Sequence, residues 1–362
     1  ALQASRESIV LLKNKGNILP LLKTLGKIAV IGPNALDNDY AHAHYGPLAS
    51  KSVTVLEGIR NKFGKENVLY AQGCSTVDKN WPESEILPES PDLEAQASID
   101  SAVTTAKQAD VTILILGGST KTTGENKSRT ALDLPGHQLD LAKAVFKTGK
   151  PVIVVLIGSQ PMTINWIDKY VDGIIYAGFP GVKGGIAIAD VLSGDYNPGG
   201  KLTLTFPKSV GQLPFNFPSK PSAQTDVGEL AKIKGLLYPF GYGLSYTSFS
   251  YNDLKVGEMQ ADSTVSVSVN IKNIGKVAGE EVVQLYTHDV LSSVTTYEKN
   301  LRGFKRVSLS AGETIQITFQ ITADDLKLYD RKMQYVLEPG EFLVMLGSSS
   351  EDIRLKKTFI VK

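Results

Sequence analysis

Between Thr122 and Gly136 the chain reads TTGENKSRTALDLPG, and this stretch holds the residues best suited to chemistry. Glu125 offers a carboxyl group that can pass a proton when its surroundings bring its pKa near working pH. Arg129, four residues on, can hold the loop, pair with Glu125 or contact a bound molecule. Taken alone, a loop glutamate is more often just a solvated carboxylate. Other constellations carry less. His42 and His44 stand two apart with no third ligand nearby, so no metal site is expected there. Ser159 in LIGSQP lacks the G-x-S-x-G elbow and an assigned base, which argues against a serine hydrolase. The turn Gly32-Pro33-Asn34 lacks the G-x-G-x-x-G fingerprint, and Pro33 removes an amide donor that a phosphate would need. With Cys74 as the single cysteine, an internal disulfide is impossible and a cysteine metal site is not expected. No cofactor and no metal is implied.

The Glu125 loop follows an apolar run, Val111 to Leu116, that ends in Gly117-Gly118, and it precedes the helix-like QLDLAKAVFK. A strand therefore delivers it, and loops at the carboxyl ends of strands in an open α/β sheet are where such sheets bind ligands. Upstream, Ile9, Leu11 and Leu12 share one face of a helix expected over residues 1–15. KIAVI at 27–31 is a buried-strand run, 53–63 is amphipathic, and 67–70 is a strand. Residues 75–92 are polar and proline-bearing, a surface excursion; Ile99, Ala102, Val103 and Ala106 then mark a helix. Downstream, VIVVLIGS, a strand at 173–176 and a helix over 186–192 continue the alternation. Such alternation predicts an α/β sandwich with a mostly parallel sheet, assigned to residues 1–206. Residues 207–249, rich in proline, glycine and aromatics, read as an ordered connector. From Ser250 to Lys362 the period switches to two, with turns at short intervals and no helix. That pattern predicts an immunoglobulin-like β-sandwich, of the fibronectin type III variety because paired cysteines are lacking. The expected fold class is thus α/β plus all-β.

A length of 362 residues suits two domains. Lysine plus arginine (38) nearly balances aspartate plus glutamate (37), which argues against a nucleic-acid or membrane-surface partner. No apolar run approaches the roughly 20 residues that span a bilayer. The opening ALQASRESIVLLKN has no Met and no apolar leader, and is read as the start of a piece of a longer protein. A signal peptide, if any, would lie upstream.

The residues E-x-x-x-R-x-x-L-x-LP-x-x-Q, running from Glu125 through Arg129 to Gln138, resemble the acid/base loop of glycoside hydrolase family 3. SRESIVLLKNKGNILPL near the start, GGIAIADVLSGDYNPGGKLTLTFP at 184–207 and LYPFGYGLSYTSF at 237–249 are similar to further signatures of that family, in its order. The resemblance covers essentially the whole chain. It implies the family's second, α/β-sandwich domain and its fibronectin type III-like domain, without the N-terminal (β/α)8 barrel. It implies a retaining, exo-acting β-glycosidase, β-glucosidase-like, that hydrolyses terminal β-D-glucosyl residues of oligosaccharides or glycosides. In that reading Glu125 is the general acid/base, Arg129 binds substrate or supports the loop, and the nucleophilic aspartate lies in the barrel, outside this chain. The fragment alone is then expected to be inactive. GFPGVKGG at 178–185 resembles the β-xylosidase branch as much, and a non-catalytic carbohydrate-binding or scaffold protein is the alternative of another class. Tyr238, Phe240, Tyr242 and Tyr246 are read as packing anchors ahead of a sugar-stacking strip, and His137 as a cap or packing residue. A periplasmic or extracellular location is expected; no oligomeric state is assigned.

Overall fold

The structure is a computed structural model that describes residues 1–22, 25–37, 51–214, 217–221, 233–259 and 264–362. It divides into two units, Ala1–Gly200 with Phe206–Gly211, and Lys201–Thr205 with Gln212–Lys362.

In the first unit, helix α1 (Leu2–Ser8) leads into strand β1 (Val10–Asn14), followed by β2 (Ile28–Ile31), α2 (Val55–Phe63), β3 (Val68–Ala71) and α3 (Leu93–Lys107). Then come β4 (Val111–Gly117), α4 (Gln138–Phe146), β5 (Val152–Ile157), α5 (Asn165–Tyr170), β6 (Gly173–Gly178) and α6 (Gly184–Ser193). The six strands form one sheet in the order β1-β6-β5-β4-β2-β3. β2 to β6 run parallel, and β1 lies antiparallel against β6. Every residue of β4 and β5 is buried, because helices cover both faces of a parallel sheet. Each large aliphatic side chain so buried contributes roughly 1.5–3 kcal/mol relative to exposure.

The expected helix over 1–15 is corrected: it stops at Ser8, and Ile9, Leu11 and Leu12 belong to an extended segment. Ile9 through Leu12 are all at most 2 % exposed. A short continuous apolar run buried on every side does not reveal its period, so its spacing fits either element. Pairing with the free edge of β6, from Val10 opposite Tyr176 to Asn14 opposite Gly173, decides for a strand.

Glycines allow the close approaches the sheet needs. A Cβ on Gly58 would lie 2.0 Å from the Gly185 carbonyl oxygen, and one on Gly185 would lie 2.1 Å from that of Thr54. The N-terminal turns of α2 and α6 therefore touch backbone to backbone. Buried Asp190 on α6 binds Arg6 of α1 at 2.6 Å and also takes Lys62 of α2, tying three helices together.

The second unit contains β7 (Phe249–Val256), β8 (Thr264–Asn273), β9 (Gly279–Asp289), β10 (Asn300–Leu309) and β11 (Thr314–Thr322). It continues with α7 (Ala323–Leu326), the short pair β12 (Leu328–Tyr329) and β13 (Tyr335–Val336), then β14 (Gly340–Gly347) and β15 (Ile353–Val361). A four-stranded sheet β10-β9-β14-β15 and a three-stranded sheet β11-β8-β7 share one apolar core. Alternate residues Val265, Val267, Val269 and Ile271 of β8 point into it, the period-two pattern that the sequence carries. The single turn α7 corrects the expectation of no helix: Thr322 and Asp325 cap each other's backbone amides, a capping box too local for strand periodicity to reveal. Among the connector aromatics, Tyr238 stacks on Tyr242 at 5.3 Å and Phe240 on Phe217 at 4.5 Å, both packing contacts inside this unit.

Candidate active site

Among the parallel strands, β2 is followed by β3 on one side of the sheet and β4 joins on the other, so the chain's winding reverses between β2 and β4. The crevice at the carboxyl ends of such a strand pair is the usual ligand position in open α/β sheets. A glycine that the geometry requires follows β2, and another ends β4. Gly32 (φ 131°) would place a Cβ 2.2 Å from the Ile115 carbonyl oxygen, and Gly117 (φ 142°) would place one 1.8 Å from that of Ile157.

The loop that leaves β4 is held from its first residue. Gly118 donates its N–H to the Ile157 carbonyl at 2.9 Å. Asn34, 2 % exposed, donates from Nδ2 to the Gly118 carbonyl at 2.7 Å. Ser119 and Thr122 close the next turn, with Ser119 N–H to Thr122 Oγ1 at 3.0 Å and Thr122 N–H to the Ser119 carbonyl at 3.0 Å. A second turn follows, closed by the Lys127 N–H on the Gly124 carbonyl at 3.3 Å. Glu125 stands within it, between Gly124 (φ 131°) and Asn126 (φ 60°), two residue types that tolerate the left-handed region. Its side chain is exposed.

Arg129 is engaged elsewhere. Its side chain, 9 % exposed, pairs with Glu85, which is 8 % exposed. Its Nη2 donates to the Asp133 carbonyl at 2.9 Å, and its guanidinium lies 5.1 Å from the centre of the Trp81 ring. Glu85 also accepts from the Thr130 N–H at 2.5 Å and from the Thr130 hydroxyl at 2.9 Å. The excursion at 75–92 thus grips the loop through a buried ion pair and an aromatic face. Sequence reasoning missed Glu85 and Trp81, since nothing in their spacing links them to a residue some 45 positions away. It also passed over Gln138, although that residue closes the Glu125–Gln138 motif.

Two clefts border the loop. One, about 270 Å³, is lined by Trp81, Glu85, Arg129, Asp133 and His137; the other, about 600 Å³, by Asp78, Lys79, Asp92, Lys121 and again His137. His137 takes the N-cap position of α4 without a cap hydrogen bond from its side chain, and its Nδ1 lies 3.4 Å from Asp140 Oδ2. So it packs and does not cap. Cys74 also lines the larger cleft, but burial pushes its thiol up to about 12, which keeps it protonated and poorly nucleophilic at neutral pH.

Among the described residues no group of three or more His, Cys, Asp and Glu side chains is placed to hold a metal ion, and no helix is long and apolar enough to cross a membrane. His42 and His44 lie outside the described residues. The loop carries two exposed carboxyl groups, Glu125 on its held turn and Asp133, which accepts from the Thr163 hydroxyl; an exposed carboxyl group can give a proton to a bound molecule and take one back.

Comparison with known proteins matches both parts of the chain. Residues 9–246 match the glycosyl hydrolase family 3 C-terminal domain, and residues 281–350 match a fibronectin type III-like domain. A periplasmic β-glucosidase of Salmonella typhimurium is 41 % identical over 98 % of the chain, and a β-xylosidase of Formosa agariphila is 39 % identical over 98 %. The chain covers 49 % of each of these relatives, about half their length. A crystal structure of β-glucosidase from Listeria innocua in complex with glucose superimposes with a TM-score of 0.88 at 32 % identity, over 99 % of this chain and 49 % of that one. With both of its domains matched in order and the likeness running from end to end, the chain belongs to glycoside hydrolase family 3.

Proposed function

We propose that this chain supplies the general acid/base, Glu125, of a retaining, exo-acting β-glycosidase that releases terminal β-D-glucosyl residues. The nucleophilic aspartate would come from an N-terminal (β/α)8 barrel of the same protein. The observation that carries the reading is the position of Glu125: exposed, on a held turn of the loop that leaves β4 at the winding reversal of the sheet, in a chain of this family.

The chemistry follows from two carboxyl groups about 5 Å apart across the scissile bond. As the nucleophile attacks the anomeric carbon, the Glu125 carboxyl protonates the departing glycosidic oxygen. The C–O bond breaks and a covalent glycosyl intermediate forms. Glu125, now a carboxylate, then takes a proton from water, whose oxygen attacks the anomeric carbon and frees the nucleophile. A general acid serves best with a pKa near working pH, which desolvation and a neighbouring ionised nucleophile both favour. Neither step calls for a metal or a nucleotide. Arg129, with its guanidinium committed to Glu85, Asp133 and Trp81, acts in this reading as a loop support.

A xyloside-cleaving enzyme is the second reading, favoured by the similarity to a β-xylosidase of Formosa agariphila. The two sugars differ in the hydroxymethyl group on C5, which the barrel would meet. Side-by-side hydrolysis of glucoside and xyloside by the full-length protein separates them. The name of the Salmonella relative supports export to the periplasm or beyond.

Glu125→Gln in the full-length protein tests the role. The variant should lose about 10²- to 10⁴-fold in kcat/KM on alkyl glycosides, whose leaving groups need protonation. It should keep most of its kcat/KM on dinitrophenyl glycosides, which need none. Unimpaired turnover of alkyl glycosides would end the proposal, and an unmodified full-length protein that binds sugars without cleaving any would favour a non-catalytic carbohydrate binder.

A further inference from the structure

Gln138 is the first residue of α4 and is completely buried. A fully buried primary amide is costly unless all of its polar atoms are engaged. Here they are. Oε1 accepts from the Gly117 N–H at 2.8 Å, while Nε2 donates to the Gly117 carbonyl at 2.8 Å and to the Thr76 carbonyl at 3.0 Å.

The reason lies in the sheet. β2 pairs with β4 only as far as Ile31 opposite Leu114, so the end of β4 has no strand on that side. The Gln138 amide, planar and carrying a donor beside an acceptor, stands in for the missing strand's peptide group. Together with Ile157 and Asn34 it satisfies all four polar backbone groups of Gly117-Gly118. The loop bearing Glu125 leaves the sheet at this dipeptide and returns to the scaffold at Gln138 itself. One side chain therefore pins both ends of the loop and, through Thr76, the base of the excursion that carries Trp81 and Glu85.

We infer that Gln138 is the positioning residue of the acid/base loop: it fixes where the loop starts and ends, and thereby where Glu125 presents its carboxyl group. This rests on the role proposed for Glu125. A contact that served stability alone would scale every activity by the folded fraction. A positioning contact should instead weaken the steps that need proton transfer and spare the others.

Gln138→Met, nearly the same length but without the amide, is compared with wild type and Glu125→Gln in the full-length enzyme. The expected result is a fall of about tenfold or more in the ratio of kcat/KM on an alkyl glycoside to kcat/KM on a dinitrophenyl glycoside, the signature of impaired general acid catalysis. Added azide, an anionic nucleophile that needs no general base, should raise kcat of the variant on the dinitrophenyl glycoside. If Glu125→Gln shows both effects and Gln138→Met loses both activities in equal proportion with no azide response, the positioning role is wrong and the Glu125 role stands. If Glu125→Gln shows neither, the underlying reading fails instead. Should Gln138→Met not fold, Gln138→Glu carries the test. Its neutral carboxyl keeps one donor beside an acceptor, enough for the Gly117 pair though not for Thr76 as well, whereas its carboxylate can donate to neither. The ratio, normalised to wild type at each pH, should recover as pH falls; a ratio equal to wild type at every pH overturns the inference.

Discussion

The Glu85–Arg129 pair shows how residues outside the proposed chemistry hold the loop that would carry it. Both side chains are more than nine-tenths buried, so neither charge is well hydrated, and each depends on the other. Glu85 also holds the Thr130 amide and hydroxyl, which fixes the loop immediately after Arg129. Replacing Glu85 with alanine strands three donors at once: the guanidinium Nε–H of Arg129 and the amide and hydroxyl of Thr130. The expected loss is about 3 kcal/mol, read as a lower midpoint in urea unfolding of the full-length protein. Glu85→Gln keeps two acceptor lone pairs and should lose less. An alanine variant as stable as wild type would show that the pair contributes nothing to holding the loop.

At the level of elements, the strand ends are where backbone geometry and loop placement meet. Gly117 must turn out of β4 while its Cα passes against the backbone of β5, and a methyl group there would lie 1.8 Å from the Ile157 carbonyl oxygen. The residue also sits at φ 142°, which side chains disfavour. Gly117→Ala should therefore cost at least about 3 kcal/mol or displace the loop, since the clash is with backbone and cannot be relieved by a rotamer change. Circular dichroism melting of the full-length protein reads the first outcome, and loss of alkyl-glycoside hydrolysis in folded material reads the second. Unchanged melting and unchanged activity together would contradict the placement of this turn. The antiparallel β1 makes a related point: it covers the edge of β6 that would otherwise expose unpaired N–H and C=O groups.

For the whole molecule, the governing fact is that the chain spans about half the length of its relatives. In the proposed mechanism this chain brings the proton-transferring group, and the covalent step needs a second carboxyl group from elsewhere. The 362-residue chain by itself is expected to release no nitrophenol from nitrophenyl β-glucoside above the buffer rate, even when folded. The full-length protein should do so readily. Turnover by the isolated chain that survives Glu125→Gln would show that another group here does the chemistry.

Read alone, the amino-acid order determined whatever depends on near neighbours. The buried runs at 111–116 and 152–157 show as continuous apolar stretches, β8 shows as a local period of two, and Glu125 was singled out because its motif is contiguous. Those signals yielded the two fold classes and the candidate acid. Tertiary structure decided what depends on partners distant along the chain. It drew Arg129 to Glu85, made a strand of Val10–Asn14 by giving it the edge of β6, and set the Gln138 amide on the open end of β4. A period records which side of an element avoids water, whereas an ion pair, an edge pairing or an amide bridge exists only once folding brings two separate segments within hydrogen-bonding distance.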